Sequence, residues 1–315
     1  MKLNAKKIEK KGFTIIELLT VMSIIVILFG LLMPAMTLVR TYSKTVKQQA
    51  QFHAIESGLQ MFRDDFGEYP PSDARDRDDY GVPKTNNKDY PGAMKLAEAL
   101  LGHDLLGFNP YSVFNTTGKN NNVDDPSLYD NGKTLYPTIP ANTTDEKLLA
   151  NMRLRKGPYV DATRTNTAAI KDLYAGQGQS SVRYVICDEF PRISVSGAGK
   201  RVGMPVLYYK ANVSALMNPD PNGGTVPDDP ADATYIYNYQ DNYAITTTLK
   251  APWDNTTVHP ISQGTPAGMN FYDEIRNPKI SSPAKPYNPD TFILISAGND
   301  GLYGTKDDVL NFNKE

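Results

Sequence analysis

Apolar residues are concentrated in one run near the start of the chain, from Phe13 to Val39. A helix over this run would be roughly 40 Å long at 1.5 Å per residue, enough to cross a hydrocarbon core of ~30 Å. The lysines that precede the run favour the cytoplasmic side of a membrane. The pattern therefore predicts a membrane-spanning helix over residues 13–39, with the rest of the protein outside the cytoplasm.

The next segment changes to an amphipathic pattern. Apolar side chains recur at spacings of three and four, which places them on one face of a helix: Phe52, Ile55, Leu59, Phe62 and Phe66. We predict one long helix from Phe13 to about Asp65, whose second half, residues 40–66, is a stalk that packs against a head. Gly67 and the Pro70-Pro71 pair end the helix.

Residues 67–315 form the predicted head. Its first part is rich in turn residues and contains one short helix, Ala93–Leu101. Runs with strand character follow later in the chain: Val182–Cys187, Pro205–Lys210, Tyr235–Tyr239, Tyr243–Leu249 and Phe292–Ser296. The predicted fold is α+β, a long N-terminal helix packed on an antiparallel-sheet head with long loops.

Charge and chemistry narrow the function. Residues 1–12 hold five lysines and one glutamate, a net charge of +4, which leaves −6 for the rest of a chain whose total is −2. An acidic body is unsuited to the phosphate backbone, so we expect no nucleic-acid partner. Cys187 is the only cysteine, which excludes an intramolecular disulfide. No HExxH, P-loop or G-x-S-x-G motif occurs, and we predict that the protein is not an enzyme.

The junction between the basic and apolar segments reads Lys11-Gly12-Phe13-Thr14-Ile15-Ile16-Glu17. This string resembles the processing site of type IV prepilins and of the pseudopilins of type II secretion. The resemblance implies that a prepilin peptidase removes residues 1–12 as a leader, cutting between Gly12 and Phe13, and methylates the new amino terminus.

Glu17 places a carboxylate one turn into the apolar run, where an ionised side chain costs about 2.5 kcal/mol or more. A glutamate near the membrane interface can reach water, and that is one explanation. The family resemblance implies another, in which Glu17 pairs with the amino terminus of an adjacent subunit during assembly. It also matches Pro34 to a helix-kinking proline, and proline chemistry predicts a bend or local melting near Leu31.

Further segments favour the pseudopilin branch. The helix exit FRDDFGEYPP and the head pieces KGPYVD and GMPVLYYKA resemble pseudopilin sequence. The resemblance covers the first 71 residues and the last 25 and leaves most of an enlarged middle unexplained. It implies an inner-membrane protein that later joins a periplasmic filament. Its partners would be the peptidase, its own copies, other pseudopilins, membrane lipid and an inner-membrane assembly platform.

Two alternatives to a pseudopilin stay open. One is a type IV pilin of a surface filament for adhesion or motility, although the carboxy-terminal disulfide usual in that group is impossible here. The other is an extracytoplasmic binding protein or enzyme that uses the pilin leader for export and anchoring.

The carboxy-terminal segment from Ser296 to Asp308 follows the last apolar run and is rich in glycine and aspartate. Calcium prefers six to eight oxygen ligands, from carboxylates and backbone carbonyls together. A loop that returns on itself can bring Asp300 close to Asp307 and Asp308. The segment also resembles the calcium loop of major pseudopilins, which implies a structural Ca²⁺ bound by these three aspartates.

Overall fold

The computed structural model describes residues 12, 14–85, 87–175, 177, 183–195, 199–216, 218–219 and 225–314. The chain divides into two compact units, Met1–Lys44 and Thr45–Glu315. The expected leader, residues 1–12, lies outside the described residues except for Gly12, and so does Phe13.

The first helix, α1, runs from Ile15 to Phe66. Its sequence offers few helix breakers before Gly67, whose positive φ of 85° suits a residue without Cβ. The Gly67 amide donates to the Arg63 carbonyl at 2.7 Å and closes the last turn. The expected helix over Phe13–Asp65 is therefore confirmed for its described residues, with nearly the expected end.

The second unit combines short helices and short strands around the last part of α1. The helices are α2 (Gly92–Leu101), α3 (Glu146–Leu154), α4 (Ile170–Leu173) and α5 (Met269–Ile275). The strands are β1 (Thr167–Ala169), β2 (Tyr184–Ile186), β3 (Ile193–Ser194), β4 (Arg201–Val202), β5 (Leu207–Lys210), β6 (Arg276–Ser281), β7 (Ala284–Pro286), β8 (Phe292–Ser296) and β9 (Val309–Leu310). Short 3₁₀ turns lie at Tyr129–Gly132, Tyr239–Asn242 and Pro260–Ser262, and a π-helical turn at Ala244–Thr248.

All strand pairs in the described part of the chain are antiparallel, in sheets β1-β2, β3-β4, β5-β8-β9 and β6-β7. In the three-stranded sheet, Leu207 pairs with Ile295, and Ser296 pairs with Val309. Strand β8 is buried along its whole length. The mixture of one long helix with small antiparallel sheets confirms the α+β prediction.

The stalk half of α1 packs on α2 and on the three-stranded sheet. Phe52, Ile55 and Leu59 share one core cluster with residues of α2, β5, β8 and β9. Phe62 is also buried, next to Phe108, and Phe66 is half-buried beside it. The predicted apolar stripe is therefore the face that α1 buries, and the head is built around it.

Two predicted strands are wrong. The segments Tyr235–Tyr239 and Tyr243–Leu249 are rich in β-branched and aromatic residues, but neither forms a strand. Residues 235–237 form bends that lead into the 3₁₀ turn at Tyr239, and the second segment contains the π-helical turn. Asn238 accepts from the Gln240 amide at 2.9 Å, and the Asn242 amide group donates to the Tyr208 carbonyl at 2.8 Å. These side-chain bonds to the backbone outweigh strand propensity. The other three predicted strands contain β2, β5 and β8.

Candidate functional site

The amino-terminal candidate site begins with a capped helix. The Thr14 amide and hydroxyl donate to Glu17 Oε2 at 2.8 and 2.7 Å, and the Glu17 amide donates to Thr14 Oγ1 at 3.2 Å. This reciprocal arrangement is a capping box, in which two otherwise unpaired amides of the first turn find acceptors. Glu17 therefore has a local structural role that the sequence interpretation did not include, although the T-x-x-E spacing carries the signal.

The apolar part of α1 is exposed rather than packed. Its most apolar stretch has a mean hydropathy of 2.7 and is 0% buried, and α1 is the only helix in the described residues that is long and apolar enough to cross a membrane. Large apolar side chains along it, such as Ile16 and Leu38, are 72% exposed.

Pro34 lies inside α1, which remains helical through it. Proline has no amide hydrogen, so the Gly30 carbonyl loses its usual helical partner. The Thr37 hydroxyl donates to the Pro34 carbonyl at 2.7 Å. We expected either a bend or local melting near Leu31. The helix is continuous there, so local melting is not observed.

The carboxy-terminal candidate site is the acidic loop, residues 297–308, which connects β8 to β9. The Asp300 amide donates to Asp307 Oδ2 at 2.8 Å, which ties the two ends of the loop together. Asp300 Oδ1 accepts from the Leu302 amide at 2.8 Å, and Asp308 Oδ2 accepts from the Gly304 amide at 2.7 Å. The structure therefore brings Asp300 next to Asp307, as expected from the sequence, and turns Asp308 toward the Gly304 turn.

Gly298 makes this closure possible. Its φ is +63°, and a Cβ at this position would lie 2.2 Å from the Asp307 carbonyl oxygen. Only glycine combines this backbone conformation with so close an approach. The start and the end of the acidic loop are consequently in direct backbone contact.

Burial and nearby hydrogen-bond donors shift the pKa values of the three carboxyls in different directions. Burial raises the pKa of Asp308 to about 8. Burial also raises the pKa of Asp300, and the neighbouring Asp307 adds to this effect. For Asp307, burial is opposed by hydrogen bonds from Thr305 and from the Asp300 and Asn299 amides, which together lower its pKa. A bound cation would favour the ionised form of all three.

The donor chemistry of the acidic loop fits calcium. Its aspartates and backbone carbonyls are the hard oxygen ligands that Ca²⁺ prefers. Within the described ranges, none of the three aspartates forms an ion pair. No group of three or more His, Cys, Asp or Glu side chains converges on one point in the part of the chain that the structure describes. Any ion held here would therefore depend on backbone oxygens as well as on Asp300, Asp307 and Asp308.

Two polar networks in the head were not expected from the sequence. Buried Gln48 and Gln51 of α1 bond to the segment after β2: Gln51 Nε2 donates to the Cys187 carbonyl at 2.9 Å, and the Glu189 amide donates to Gln48 Oε1 at 2.8 Å. Both glutamines lie before the apolar stripe that begins at Phe52, in a segment whose polar sequence gives little indication of burial. The one indication of their burial in the sequence is their i, i+3 spacing, which continues the buried face of α1 toward the amino terminus.

The second network surrounds Glu98, a buried carboxylate on α2. It accepts hydrogen bonds from the hydroxyls of Tyr90, Ser112 and Tyr136 and lies 3.2 Å from His103 Nε2. Although burial opposes it, the charge of His103 and these hydrogen bonds lower the pKa of Glu98. Four partners from separate segments satisfy one buried acid, so the network ties these segments to α2.

Comparisons with known proteins add no relative. No protein-family model matches the chain, and searches of curated proteins and of solved structures returned no match.

Proposed function

We propose that this chain is a pseudopilin, a structural subunit that is processed by a prepilin peptidase and assembles into the short helical filament of type II secretion. The observation that carries the proposal is the exposed apolar helix that starts at Ile15 and is capped by Thr14, close behind Gly12. An apolar helix without a partner in its own subunit needs either lipid or other subunits to cover it.

The proposed life of the subunit has two stages. Before assembly, α1 anchors it in the inner membrane as a single span, with its amino terminus cytoplasmic and the head periplasmic. After cleavage between Gly12 and Phe13, the new α-amino group is available to Glu17 of a neighbouring subunit. Pairing the two charges offsets the cost of holding either one in an apolar environment. Head-to-tail contacts that do not close into a ring then give a helical polymer.

Calcium has a structural role in this proposal. An ion held by Asp300, Asp307 and Asp308 together with loop carbonyls would bind only the folded head. Such an ion stabilises the folded state by about 2.7 kcal/mol when its concentration is 100 times its dissociation constant. Chelation is expected to lower the melting temperature of the mature protein, and Asp307→Ala should remove the difference.

Processing is tested by mass spectrometry of the protein co-produced with a prepilin peptidase. The expected mature form starts with methylated Phe13, whereas Gly12→Leu retains residues 1–12. A wild-type protein that keeps Met1, or one cut at a different bond, would contradict the proposal.

Assembly is tested with two substitutions at Glu17, followed by cross-linking of subunits in membranes. Glutamine retains the capping box but removes the charge, and valine removes both. If charge pairing drives assembly, both Glu17→Gln and Glu17→Val lose the high-molecular-weight ladder. Normal assembly of Glu17→Gln would reduce Glu17 to a helix cap, and normal assembly of Glu17→Val as well would favour an anchored monomeric protein over a filament subunit.

A further inference from the structure

Two side chains from distant segments cover the outside of the acidic loop. The Trp253 ring packs on Gly301: a Cβ built on this glycine would lie 2.8 Å from Trp253 Cη2 and 3.0 Å from Arg192 Cδ. The Arg192 guanidinium lies 5.0 Å from the centre of the same ring and donates a hydrogen bond to the Asn299 carbonyl. Three segments therefore meet at residues 299–301.

The turn that carries Trp253 is built to be rigid. The Ala251 amide donates to the Thr257 carbonyl at 2.9 Å, and Asp254 Oδ1 accepts from the Thr256 and Thr257 amides at 2.9 and 3.0 Å. Gln177 fixes its base, since it donates to the Lys250 carbonyl at 2.8 Å and accepts from the Lys250 amide at 2.6 Å. Trp253 is 42% exposed, and this framework holds the backbone from which its ring reaches Gly301.

Arg192 is anchored in a similar way. Its amide donates to the Val202 carbonyl at 2.8 Å, directly before strand β3 pairs with β4. The guanidinium makes a cation–π contact with the indole ring and pairs one of its five N–H donors with the Asn299 carbonyl. The two side chains together contact Asn299 and Gly301, the two residues on either side of Asp300.

We propose that Trp253 and Arg192 are positioning residues that hold residues 299–301 of the acidic loop in its closed conformation, on which the proposed calcium site depends. We call this pair the loop clamp. Neither residue supplies a carboxylate, and their effect on a bound ion would be indirect. The loop clamp belongs to segments outside those that resemble pseudopilins.

The test measures loop opening directly, with the full-length mature protein in detergent. Lys306 lies exposed in the acidic loop, so cleavage after it by the lysine-specific endoprotease Lys-C reports the open population. Peptides that start at Asp307 are quantified by mass spectrometry, and cleavage after exposed Lys156 serves as the internal reference. In chelator, Trp253→Ala and Arg192→Met are expected to raise the rate of cleavage after Lys306 about tenfold. Trp253→Phe keeps a flat ring and should raise this rate less than about threefold. The control Val213→Ala, another exposed apolar truncation, should leave it unchanged.

The outcomes separate the loop clamp from the calcium proposal. Equal Lys306 rates for wild type, Trp253→Ala and Arg192→Met in chelator would overturn the loop clamp, whatever calcium does. A higher rate in both variants supports it, and rescue by phenylalanine assigns the effect to the ring. Addition of calcium should slow cleavage in wild type and in Trp253→Ala by mass action. If calcium slows neither, the calcium proposal fails while the loop-clamp result in chelator stands.

Discussion

Replacing Gly298 with alanine is the sharpest perturbation of the acidic loop. The substitution adds one methyl group where φ is +63°, a conformation that costs an L-residue roughly 1–2 kcal/mol. The added carbon would also lie 2.2 Å from the Asp307 carbonyl oxygen and 2.9 Å from Asp307 Oδ2. Because the obstacle is backbone, rotating a side chain cannot relieve it, and overpacking of this kind typically costs a further 1–3 kcal/mol, about 2–5 kcal/mol in total.

Gly199 provides a matched control for this change. Its φ is +59°, close to that of Gly298, but among the described residues no other atom lies within 4 Å of the position that a Cβ would take. Gly199→Ala should therefore show the conformational cost of about 1–2 kcal/mol alone. The difference between the two variants isolates the contact between the ends of the acidic loop.

The free energy of unfolding is measured by urea titration. The near-ultraviolet circular dichroism of the buried tyrosines monitors unfolding. The emission of Trp253, the only tryptophan, reports the loop in the same samples. Gly298→Ala should lose more stability than Gly199→Ala, and it alone should change Trp253 emission under native conditions. Equal losses in the two variants would show that the loop ends are not in contact and would refute the reasoning.

Two further predictions concern the head. Leu59→Ala removes a side chain that is 0% exposed between α1 and α2, and it should lower the free energy of unfolding in urea by about 2–5 kcal/mol. The control Met61→Ala, at a position that is 54% exposed, should change it by no more than about 0.5 kcal/mol. Similar losses in the two variants would mean that α1 does not pack as described. Burial raises the pKa of Asp241 to about 8, although Ser72 donates to its carboxylate. The folded state therefore holds this proton more tightly than the unfolded chain does, so stability should fall as pH rises from about 4 to about 8. Asp241→Asn, which cannot ionise, should weaken that dependence, and an unchanged pH profile would contradict the assignment.

The sequence was most informative where one periodicity runs uninterrupted. The apolar run and the three-and-four spacing from Phe52 to Phe62 predict α1 and its buried face because helix geometry alone sets which side chains align. Strand β8 was equally clear, since Phe292–Ser296 is a short apolar run bounded by turn residues. These elements depend on local pattern, which a single sequence contains.

The remaining features depend on contacts between distant segments. Nothing near Trp253 indicates that it packs on Gly301, and the partners of Glu98 come from four places in the chain. The two wrong strands fail for a related reason: Asn242 bonds to the Tyr208 carbonyl and accepts from the Ala93 amide, and these tertiary bonds decide the local conformation. For the acidic loop, the residues were identifiable from composition, but their hydrogen bonds were not.

Strand β9 is only two residues long, yet it occupies the position next to β8 in the three-stranded sheet. Its pairing at Ser296 and Ile295 depends on the acidic loop returning the chain to that edge. If the loop opens and β9 detaches, β8 becomes an edge strand that has lost the pairing of Ile295 and Ser296, the last two of five consecutive buried residues. Such an edge is a template for intermolecular strand pairing. Closure of the acidic loop therefore also protects the head against aggregation.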